Sequence, residues 1–259
     1  MIISATRNAT RNAAYDYAHK FNRKAMRATS IYLPKTRTGK IDFAFIENFV
    51  RELEESRLRE LEAYLRVTGL TNHNLTPTEE SVLDSLPRKK WKAFNLQNLY
   101  GKSTRGKRLK GDDRISGMLP FVTAGEANTG ISAFIGNNVD VFHYNTTTID
   151  MFGSAKYRNY NYGADDHVAV VHTEHLPKHA AIFVTSACHK AAHTGKFNYG
   201  HNFYAKDADE LNIMLPVKNS VPDYAFMETL ISAVHKLVIK DVVLYADRRL
   251  AATKHFITK

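Results

Sequence analysis

The chain contains an internal repeat, in which a segment near its amino terminus recurs about 182 positions later. Residues 4–21 read SATRNATRNAAYDYAHKF and align without a gap with SACHKAAHTGKFNYGHNF at residues 186–203. The alignment matches the same residue type at several positions: Ala9 with Ala191, Tyr17 with Tyr199, His19 with His201 and Phe21 with Phe203. A chain with this pattern is constrained to build the same local structure at both places.

The repeat continues beyond these segments, while the middle of the chain has no counterpart. IYLPKT at residues 31–36 faces IMLPVK at 213–218, and after a slip of one residue DFAFIENF at Asp42 faces DYAFMETL at Asp223. The unmatched part lies between Trp91 and Phe183. We therefore predict one unique domain that ends in a tail and a helix, preceded by a second copy of the same tail and helix.

Composition limits the class of protein. The 259 residues are 44% hydrophobic, which is enough for one sizeable domain, and no apolar run reaches the eighteen residues of a membrane span. Charges are scattered through the first residues, so we expect no secretory signal. The single cysteine, Cys188, excludes an intramolecular disulfide and fits a cytoplasmic location.

The charge is basic and unevenly spread. A formal charge of +10 favours a polyanionic partner, although many basic proteins never touch nucleic acid. No acidic residue occurs from Ser85 to Lys110, a stretch that carries many basic ones: Arg88, Lys89, Lys90, Lys92, Lys102, Arg105, Lys107, Arg108 and Lys110. The glycine-rich part of this stretch is predicted to form a loop that follows a phosphate backbone, with a merely solvated loop as the alternative.

Two long amphipathic helices are predicted, one in each copy of the repeat. The first covers residues 42–68, with Asp42 as its N-cap and Gly69 at its carboxyl end, and the second covers residues 224–250. Their apolar stripes favour pairing as an antiparallel coiled coil, although each helix could instead cover its own sheet. The residues expected to pair are Ile46, Val50, Leu53, Leu61, Met227, Ile231, Val234 and Val242.

Between these helices the pattern predicts a mixed domain. Thr76, Pro77 and Glu79 form a capping box that begins a short helix. After Trp91, short β-type runs follow one another between Gly and Asn turns: LPFVTA at Leu119, GISAFIG at Gly130, NTTTIDMF at Asn145, HVAVVHT at His167 and AAIFVTS at Ala180. The fold class is therefore α/β (α+β), with a mainly antiparallel sheet.

Several segments, taken in order, resemble the target-recognition domain and adjoining helix of DNA specificity subunits from type I restriction-modification systems, and most of all the BcgI-like branch. These are WKAFNLQNLYG, LPFVTAGEANTGISAFIG, NYGADDHVAVV, GKFNYGHNF with LPVK, and PDYAFMETL. IDFAFIENFVRELEESRLRELEAYLRVTGL is similar to the spacer helix of that family. The resemblance covers nearly all of the chain.

The family usually carries two complete recognition domains, and this sequence departs from it by keeping only the tail of the first. The resemblance implies a half-length or truncated form, which divides into five parts: an orphan tail (1–38), a first spacer helix (39–70), a linker with a short helix (71–89), a recognition domain (90–218) and a second spacer helix (219–259). Residues 1–30 are expected to lack the sheet on which they would pack. Two such chains could pair head to tail as a homodimer and read two half-sites.

Side-chain chemistry narrows the residues that could contact DNA. Arginines suit guanine, asparagines suit adenine and lysines suit phosphate, although an ordinary surface role is as plausible for each residue alone. The candidates are Lys102, Arg105, Lys107, Arg108, Lys110, Arg114, Asn128, Lys156, Arg158, Asn159, Lys196, Asn198, Tyr199 and Asn202.

The sequence supports a catalytic role less well than a DNA-binding role. The histidines at 167, 172, 175, 179, 189 and 193 lack the spacing of a metal motif, so no metal site is expected. Asp165 and Asp166, with Glu174, leave open a magnesium-dependent nuclease. A packing role is expected for Cys188 rather than a nucleophilic one.

The sequence therefore predicts a non-catalytic DNA-recognition subunit that binds no cofactor itself. The expected partners are double-stranded DNA, a methyltransferase subunit and a restriction subunit, and these subunits would bind S-adenosylmethionine, magnesium and ATP. Two alternatives stay open: the nuclease, and a decoy that binds the methyltransferase in place of an intact specificity chain.

Overall fold

The computed structural model describes residues 2–11, 15 and 19–257, with side chains described up to residue 249. Tyr17, one of the positions matched in the repeat, lies outside these residues. The chain divides into two compact units, one formed by residues 1–72 with 240–259 and the other by residues 73–239. None of the described helices is long and apolar enough to cross a membrane.

The first unit is helical. It contains α1 (Ile2–Thr10), α2 (Arg23–Ala28), α3 (Phe43–Val67) and the last part of α8 (Tyr224–Ile257). The carboxylate of Asp42 accepts a hydrogen bond of 2.9 Å from the amide of Phe45, which confirms the predicted N-cap of α3. Gly69 follows the helix with a φ of +71°, the left-handed conformation that ends helices.

Within this unit, α3 packs through its carboxyl-terminal half and α8 through the segment around Val243 and Ala246. Leu58 and Leu65 of α3 are buried, as are Val243 and Ala246 of α8. Glu54 and Arg249 join the two helices by an ion pair of 2.5 Å. Leu53 and Leu61, predicted as pairing residues, line a groove beside Tyr245 and Arg249. Pairing of the two predicted stripes as an antiparallel coiled coil stays a prediction.

The second unit is a mixed helix and sheet domain, as predicted, with short helices between its strands. Its helices are α4 (Pro77–Ser85), α5 (Leu96–Tyr100), α6 (Lys178–Ala192), α7 (Ala205–Glu210) and the first part of α8. Its strands are β1 (Trp91–Asn95), β2 (Thr104–Arg105), β3 (Ser116–Val122), β4 (Ile131–Ile135), β5 (Thr146–Asp150), β6 (Ala155–Arg158), β7 (Gly163–Ala164), β8 (Val168–Val171), β9 (Asn212–Lys218) and β10 (Val221–Pro222).

Three small sheets form the domain. Their strand orders are β1-β9-β10, β2-β8-β5-β6 and β4-β3-β7. All strand pairs except β3 with β7 are antiparallel, which confirms the predicted sheet type. The strand β5 is buried along its whole length because β6 and β8 flank it and α6 packs against it.

One predicted strand is wrong. AAIFVTS, at residues 180–186, lies inside α6 and not in a sheet. The buried side chains of α6 recur mainly every fourth position and so form one face of the helix. They include Ala180, Ala181, Val184, Cys188 and Ala192. The β-branched residues of this segment favour a strand. The segment is helical instead, because a helix buries this apolar face in the domain core.

The core joins the unique part of the chain to its tail. A single buried cluster contains Leu96, Tyr100, Ile149 and Val171 from the unique part, and Phe203, Ile213, Leu215 and Met227 from the part that follows it. Met227 was expected to pair with the other spacer helix. It lies instead in this core, fully buried, because the first turn of α8 covers the sheet formed by β1 and β9.

The repeat of the sequence is also a repeat of the backbone. Adding 182 to the bounds of α2 gives those of α7, and α1 ends at Thr10 just as α6 ends at Ala192. The bridge between Lys35 and Ile41 corresponds to the pair Val217 and Pro222. The amide of Asp42 donates to Pro34, as that of Asp223 donates to Pro216. Both copies therefore fold locally in the same way.

A buried carboxylate fastens α4 to α8. Glu79 completes the predicted capping box with Thr76 and accepts hydrogen bonds from Lys236 at 2.8 Å and Ser232 at 2.7 Å. Burial alone would raise the pKa of Glu79, but the hydrogen bonds from Lys236, the Thr76 amide and Ser232 outweigh it and lower the pKa to about 2.

Because this pKa is lowered in the folded chain, Glu79 stabilises the fold above its ordinary pKa of 4.5, and the stabilisation is lost as the pH falls toward 2. We expect Glu79→Gln to lower the free energy of unfolding at pH 7 by about 2 to 3 kcal/mol, because it leaves Lys236 unpaired in a buried site. Urea unfolding at pH 7 and at pH 3 measures both effects. Glu80→Gln is the matched control, since Glu80 is exposed on the same helix.

Candidate nucleic-acid interface

Three neighbouring loops carry the predicted DNA contacts. The first is the basic loop, residues 101–114, which connects α5 to β3 and includes β2. The second is the hairpin turn, residues 123–130, between β3 and β4. The third is the tail loop, residues 193–204, between α6 and α7.

Hydrogen bonds and ring contacts connect these loops into one surface. Arg114 in the basic loop donates to Ser132, just after the hairpin turn, at 3.2 Å. Asp150, at the end of β5, accepts from the amide of Gly125 in the hairpin turn at 3.3 Å. Two residues further on, the ring of Phe152 contacts that of Tyr199 in the tail loop, with centroids 5.2 Å apart.

The basic loop presents its cations to solvent. The side chains of Lys102, Arg105, Lys107, Arg108 and Lys110 are all exposed. Lys107 forms an ion pair of 3.1 Å with Asp140, and both partners are exposed, so that pair contributes little. Gly106 lies so close to the backbone of Ala164 that any side chain there would clash. This close approach anchors the loop backbone at Gly106 against Ala164.

A groove at the base of this loop contains both signs of charge. Arg108, Lys110 and Arg114 line it together with Asp165 and His167. Asp165, Asp166 and His167 place one ligand atom each within 4.8 Å of one another. Burial, and the neighbouring Asp166, raise the pKa of Asp165. The Oδ1 of Asp166 lies 3.0 Å from the Nδ1 of His167.

The acids of the nuclease alternative are not gathered in one place. The carboxylate of Glu174 lies 3.0 Å from the imidazole of His172, and Glu174 is not part of the group formed by Asp165, Asp166 and His167. His172 also lies 2.9 Å from the hydroxyl of Thr104. The remaining histidines also have separate surroundings: His179 pairs with Glu228, and His189 stacks on His193.

The hairpin turn is strained and rigidly supported. Asn128 and Thr129 have φ values of 48° and 55°, a left-handed conformation that is unusual for a β-branched residue such as Thr129. Such a residue costs about 1 to 2 kcal/mol and persists only where surrounding contacts impose it. The strained pair places Asn128, an exposed amide, at the tip of the hairpin.

Arg158 supplies much of that support. Its guanidinium donates to the carbonyl oxygen of Thr129 at 2.8 Å and to Tyr160 at 2.9 Å, and its Nε donates to Thr148 at 2.9 Å. The residue is only 2% exposed. The prediction that Arg158 contacts phosphate is therefore wrong, because the side chain is enclosed and its Nε and Nη1 donate within the protein.

Lys156 also contacts the hairpin turn from within the protein. Its ammonium lies 3.1 Å from Glu126 in the hairpin turn and 3.4 Å from Asp150, and only 13% of its side chain is exposed. Hydrogen bonds from Ser154 and from Lys156 lower the pKa of Glu126. The spacing of residues in the sequence could not reveal these contacts of Lys156, because Glu126, Asp150 and Lys156 lie on separate segments that meet only when the sheet forms.

The remaining candidates divide between the tail loop and the end of β6. Lys196, Asn198 and Tyr199 are exposed on the tail loop, whereas Asn202 is half-buried. Asn159 is exposed directly after β6. Arg114 is half-buried, with its guanidinium 5.1 Å from the ring of Phe121, so it both shapes the groove and lines it.

We expect replacement of Lys102, Arg108 and Lys110 by Gln to weaken DNA binding most strongly at low salt. Three fewer phosphate contacts would reduce the slope of log K against log salt by about 2.7. Fluorescence anisotropy with duplex DNA over a salt series measures this slope. Gln replacements of Arg57, Arg59 and Arg66, exposed on α3, remove the same charge from another unit and should leave the slope nearly unchanged.

The single cysteine is inaccessible. Cys188 is fully buried in α6, and burial raises the pKa of its thiol to about 12. We expect the folded chain to resist a thiol reagent at pH 7.5 and the urea-unfolded chain to react with one equivalent, as followed by mass spectrometry. Rapid modification of the folded chain would contradict the packing role of Cys188.

No protein-family model matches the chain. The chain is 24% identical over 233 residues to the specificity subunit S.BcgI of a type II restriction enzyme from Heyndrickxia coagulans. The matched part is 88% of this chain and 63% of that subunit, so the chain spans less than two thirds of the length of this curated relative. The match confirms the resemblance to restriction-enzyme specificity subunits.

Solved structures show a distant likeness of the same kind. The S subunit of a type I restriction-modification system from M. genitalium is 13% identical, with a TM-score of 0.46 over 79% of this chain and 56% of that one. The HsdS subunit from Thermoanaerobacter tengcongensis is 13% identical, with a TM-score of 0.39 over 80% of this chain and 51% of that one.

Proposed function

We propose that the chain is the DNA-recognition subunit of a restriction-modification system and performs no catalysis itself. The observation that carries this proposal is its similarity to S.BcgI along 88% of its length. The three connected loops support it, because they present exposed cations beside a rigid asparagine turn, a combination suited to phosphate positioning and base reading.

The proposal assigns separate tasks to the parts of the surface. The basic loop binds phosphates along one line. Asn128 at the hairpin turn and Asn198 on the tail loop read base edges, since an asparagine amide can pair with both the N6 and N7 positions of adenine. Arg158 and Lys156 act as positioning residues, because they hold the hairpin turn without reaching the DNA.

Chemistry would be performed by partner subunits. We propose that a methyltransferase subunit and a restriction subunit join the complex in the cytoplasm and bind S-adenosylmethionine, magnesium and ATP. A homodimer of this chain would present two recognition domains to a two-part DNA target. Light scattering on a duplex with two half-sites distinguishes that dimer from a single chain bound to DNA.

The central experiment is reconstitution with a cognate methyltransferase subunit, followed by sequencing of methylated positions in exposed DNA. A motif that is methylated only by the complex supports the proposal. Magnesium-dependent cleavage by the isolated chain, lost in Asp166→Ala, would favour the nuclease. A stable complex that neither binds nor methylates DNA would favour the decoy.

The hairpin turn can be tested in the same assay. We expect Asn128→Gly to relax the motif at one adenine position, because glycine keeps the left-handed turn but removes the amide. The loss of one such contact corresponds to about 1 to 3 kcal/mol of discrimination. Asn219→Gly is the matched control, since Asn219 also has a left-handed backbone, with φ of 52°, and is exposed outside the three loops. An unchanged motif in Asn128→Gly would exclude base reading at this residue.

A further inference from the structure

One buried turn contacts both the hairpin turn and the tail loop. It covers residues 150–155, from the last residue of β5 to the first residue of β6, and we call it the junction turn. Most of its residues are buried, and Phe152 is half-buried. The hairpin turn and the tail loop lie far apart in the sequence, at residues 123–130 and 193–204. The junction turn is therefore where the position of one loop can depend on that of the other.

Asp150 connects the junction turn to the hairpin turn. One carboxylate oxygen, Oδ1, accepts hydrogen bonds of 3.0 Å from the amides of Phe152 and Ser154 and so closes the junction turn. The other oxygen, Oδ2, accepts from the amide of Gly125 at 3.3 Å and lies 3.4 Å from the ammonium of Lys156. Asp150 is 4% exposed, so water does not compete for these contacts. The two oxygens of one side chain thus bind two different segments.

Three contacts connect the junction turn to the tail loop. The carbonyl oxygen of Met151 accepts a hydrogen bond of 2.9 Å from the amide of Phe203. The carbonyl oxygen of Phe152 lies 3.3 Å from Nδ1 of His193. The ring of Phe152 also packs edge-to-face against that of Tyr199, with an interplanar angle of 84°. The two polar contacts hold the ends of the tail loop, and the ring contact holds its middle.

Tyr199 lies in a tight turn within the tail loop. Asn198 and His201 exchange two backbone hydrogen bonds of 3.0 Å, which leaves Tyr199 and Gly200 as the two residues between them. The side-chain oxygen of Asn198 accepts from the amide of Gly200 at 2.8 Å. Tyr199 is 85% exposed, because the edge contact with Phe152 leaves most of its ring in solvent. An exposed ring on a closed turn is suited to pack against the edge of a base pair.

We propose that the junction turn holds the hairpin turn and the tail loop in one rigid frame, so that Asn128 and Tyr199 read base pairs in the same half of the DNA target. Asp150 and Phe152 are then positioning residues, which determine specificity through the loops that they hold. Loops that are fixed before binding lose little conformational entropy when they bind. This inference rests on the proposed function and deepens it, because it assigns two separate loops to one reading surface.

Asp150→Asn tests the contact with the hairpin turn. The amide keeps one oxygen that can close the junction turn but places an NH2 group against the amide of Gly125, where no hydrogen bond can form. Each variant is reconstituted with the methyltransferase subunit, and the ratio of methylation at matched and mismatched sites is obtained by sequencing. We expect Asp150→Asn to lower this ratio about tenfold at the motif position that Asn128→Gly also relaxes, and to leave the position read by Tyr199 unchanged.

Phe152→Leu tests the contact with the tail loop, and it carries the test by itself if Asp150→Asn does not fold. It removes the ring contact and leaves the carboxylate of Asp150 in place. We expect a loss of discrimination of about tenfold at the position that Tyr199→Ala also relaxes, with the position read by Asn128 unchanged. Phe152→Tyr keeps the ring and should retain the selectivity of the unmodified chain.

Phe142→Leu is the matched control for this variant. Phe142 is also half-buried, and its ring stacks on that of Tyr162 with centroids 5.6 Å apart, outside the three loops. The control should lower the free energy of unfolding, measured in urea, about as much as Phe152→Leu and leave the motif unchanged. The comparison separates a positioning role from a general loss of stability.

The possible outcomes distinguish this inference from the proposed function. An equally relaxed motif in Phe142→Leu, or a motif that Phe152→Leu or Tyr199→Ala leaves unchanged, would overturn the inference and leave DNA recognition in place. The same holds if the positions read by Asn128 and Tyr199 fall in different halves of the motif. Absence of any methylated motif with the unmodified chain would overturn the proposed function, and this inference with it.

Discussion

The pairing of β9 with β1 is the interaction on which the recognition domain depends. It joins the end of the domain to its beginning across more than a hundred residues, and it places Ile213 and Leu215 in the core with Leu96 and Tyr100. The helix α8 begins directly after β10, so the same pairing also fixes where Asp223 and Met227 meet residues 89–183. Without this pairing the tail would keep its local structure and lose its apolar cover, as the first copy illustrates.

The hairpin turn of the proposed recognition surface is held by contacts with two side chains that are largely buried, those of Arg158 and Lys156. The hairpin turn carries its strain at Asn128 and Thr129 because a buried guanidinium, Arg158, and the ion pairs of Lys156 hold its backbone. Hydrogen bonds that involve a charged group contribute about 1.5 to 3 kcal/mol each, which is at least comparable to the cost of about 1 to 2 kcal/mol for a left-handed threonine. A rigid turn loses little conformational entropy on binding, and that is the property a base-reading element needs.

Much of the fold follows from local patterns, and the errors have a common origin. The predicted caps of α3 and α4 and the predicted strands β3, β4, β5 and β8 are confirmed, because each depends on residues that are close in sequence. Residues 180–186 were assigned to a strand because β-branched residues favour one, but the burial of one helical face decides otherwise. Arg158 and Met227 were misplaced because both side chains point into a core that no local pattern describes.

The sequence by itself determined the repeat, the helix ends, the basic loop and the similarity to specificity subunits, since these depend on the order and spacing of residues. Only the tertiary structure decided which members of the candidate set face solvent, which of them hold the hairpin turn, and which copy of the tail is covered. The physical reason is that burial and charge compensation arise between segments far apart in the chain. The two copies of the tail have similar local sequences but differ in exposure, because residues 89–183 pack against only the second copy.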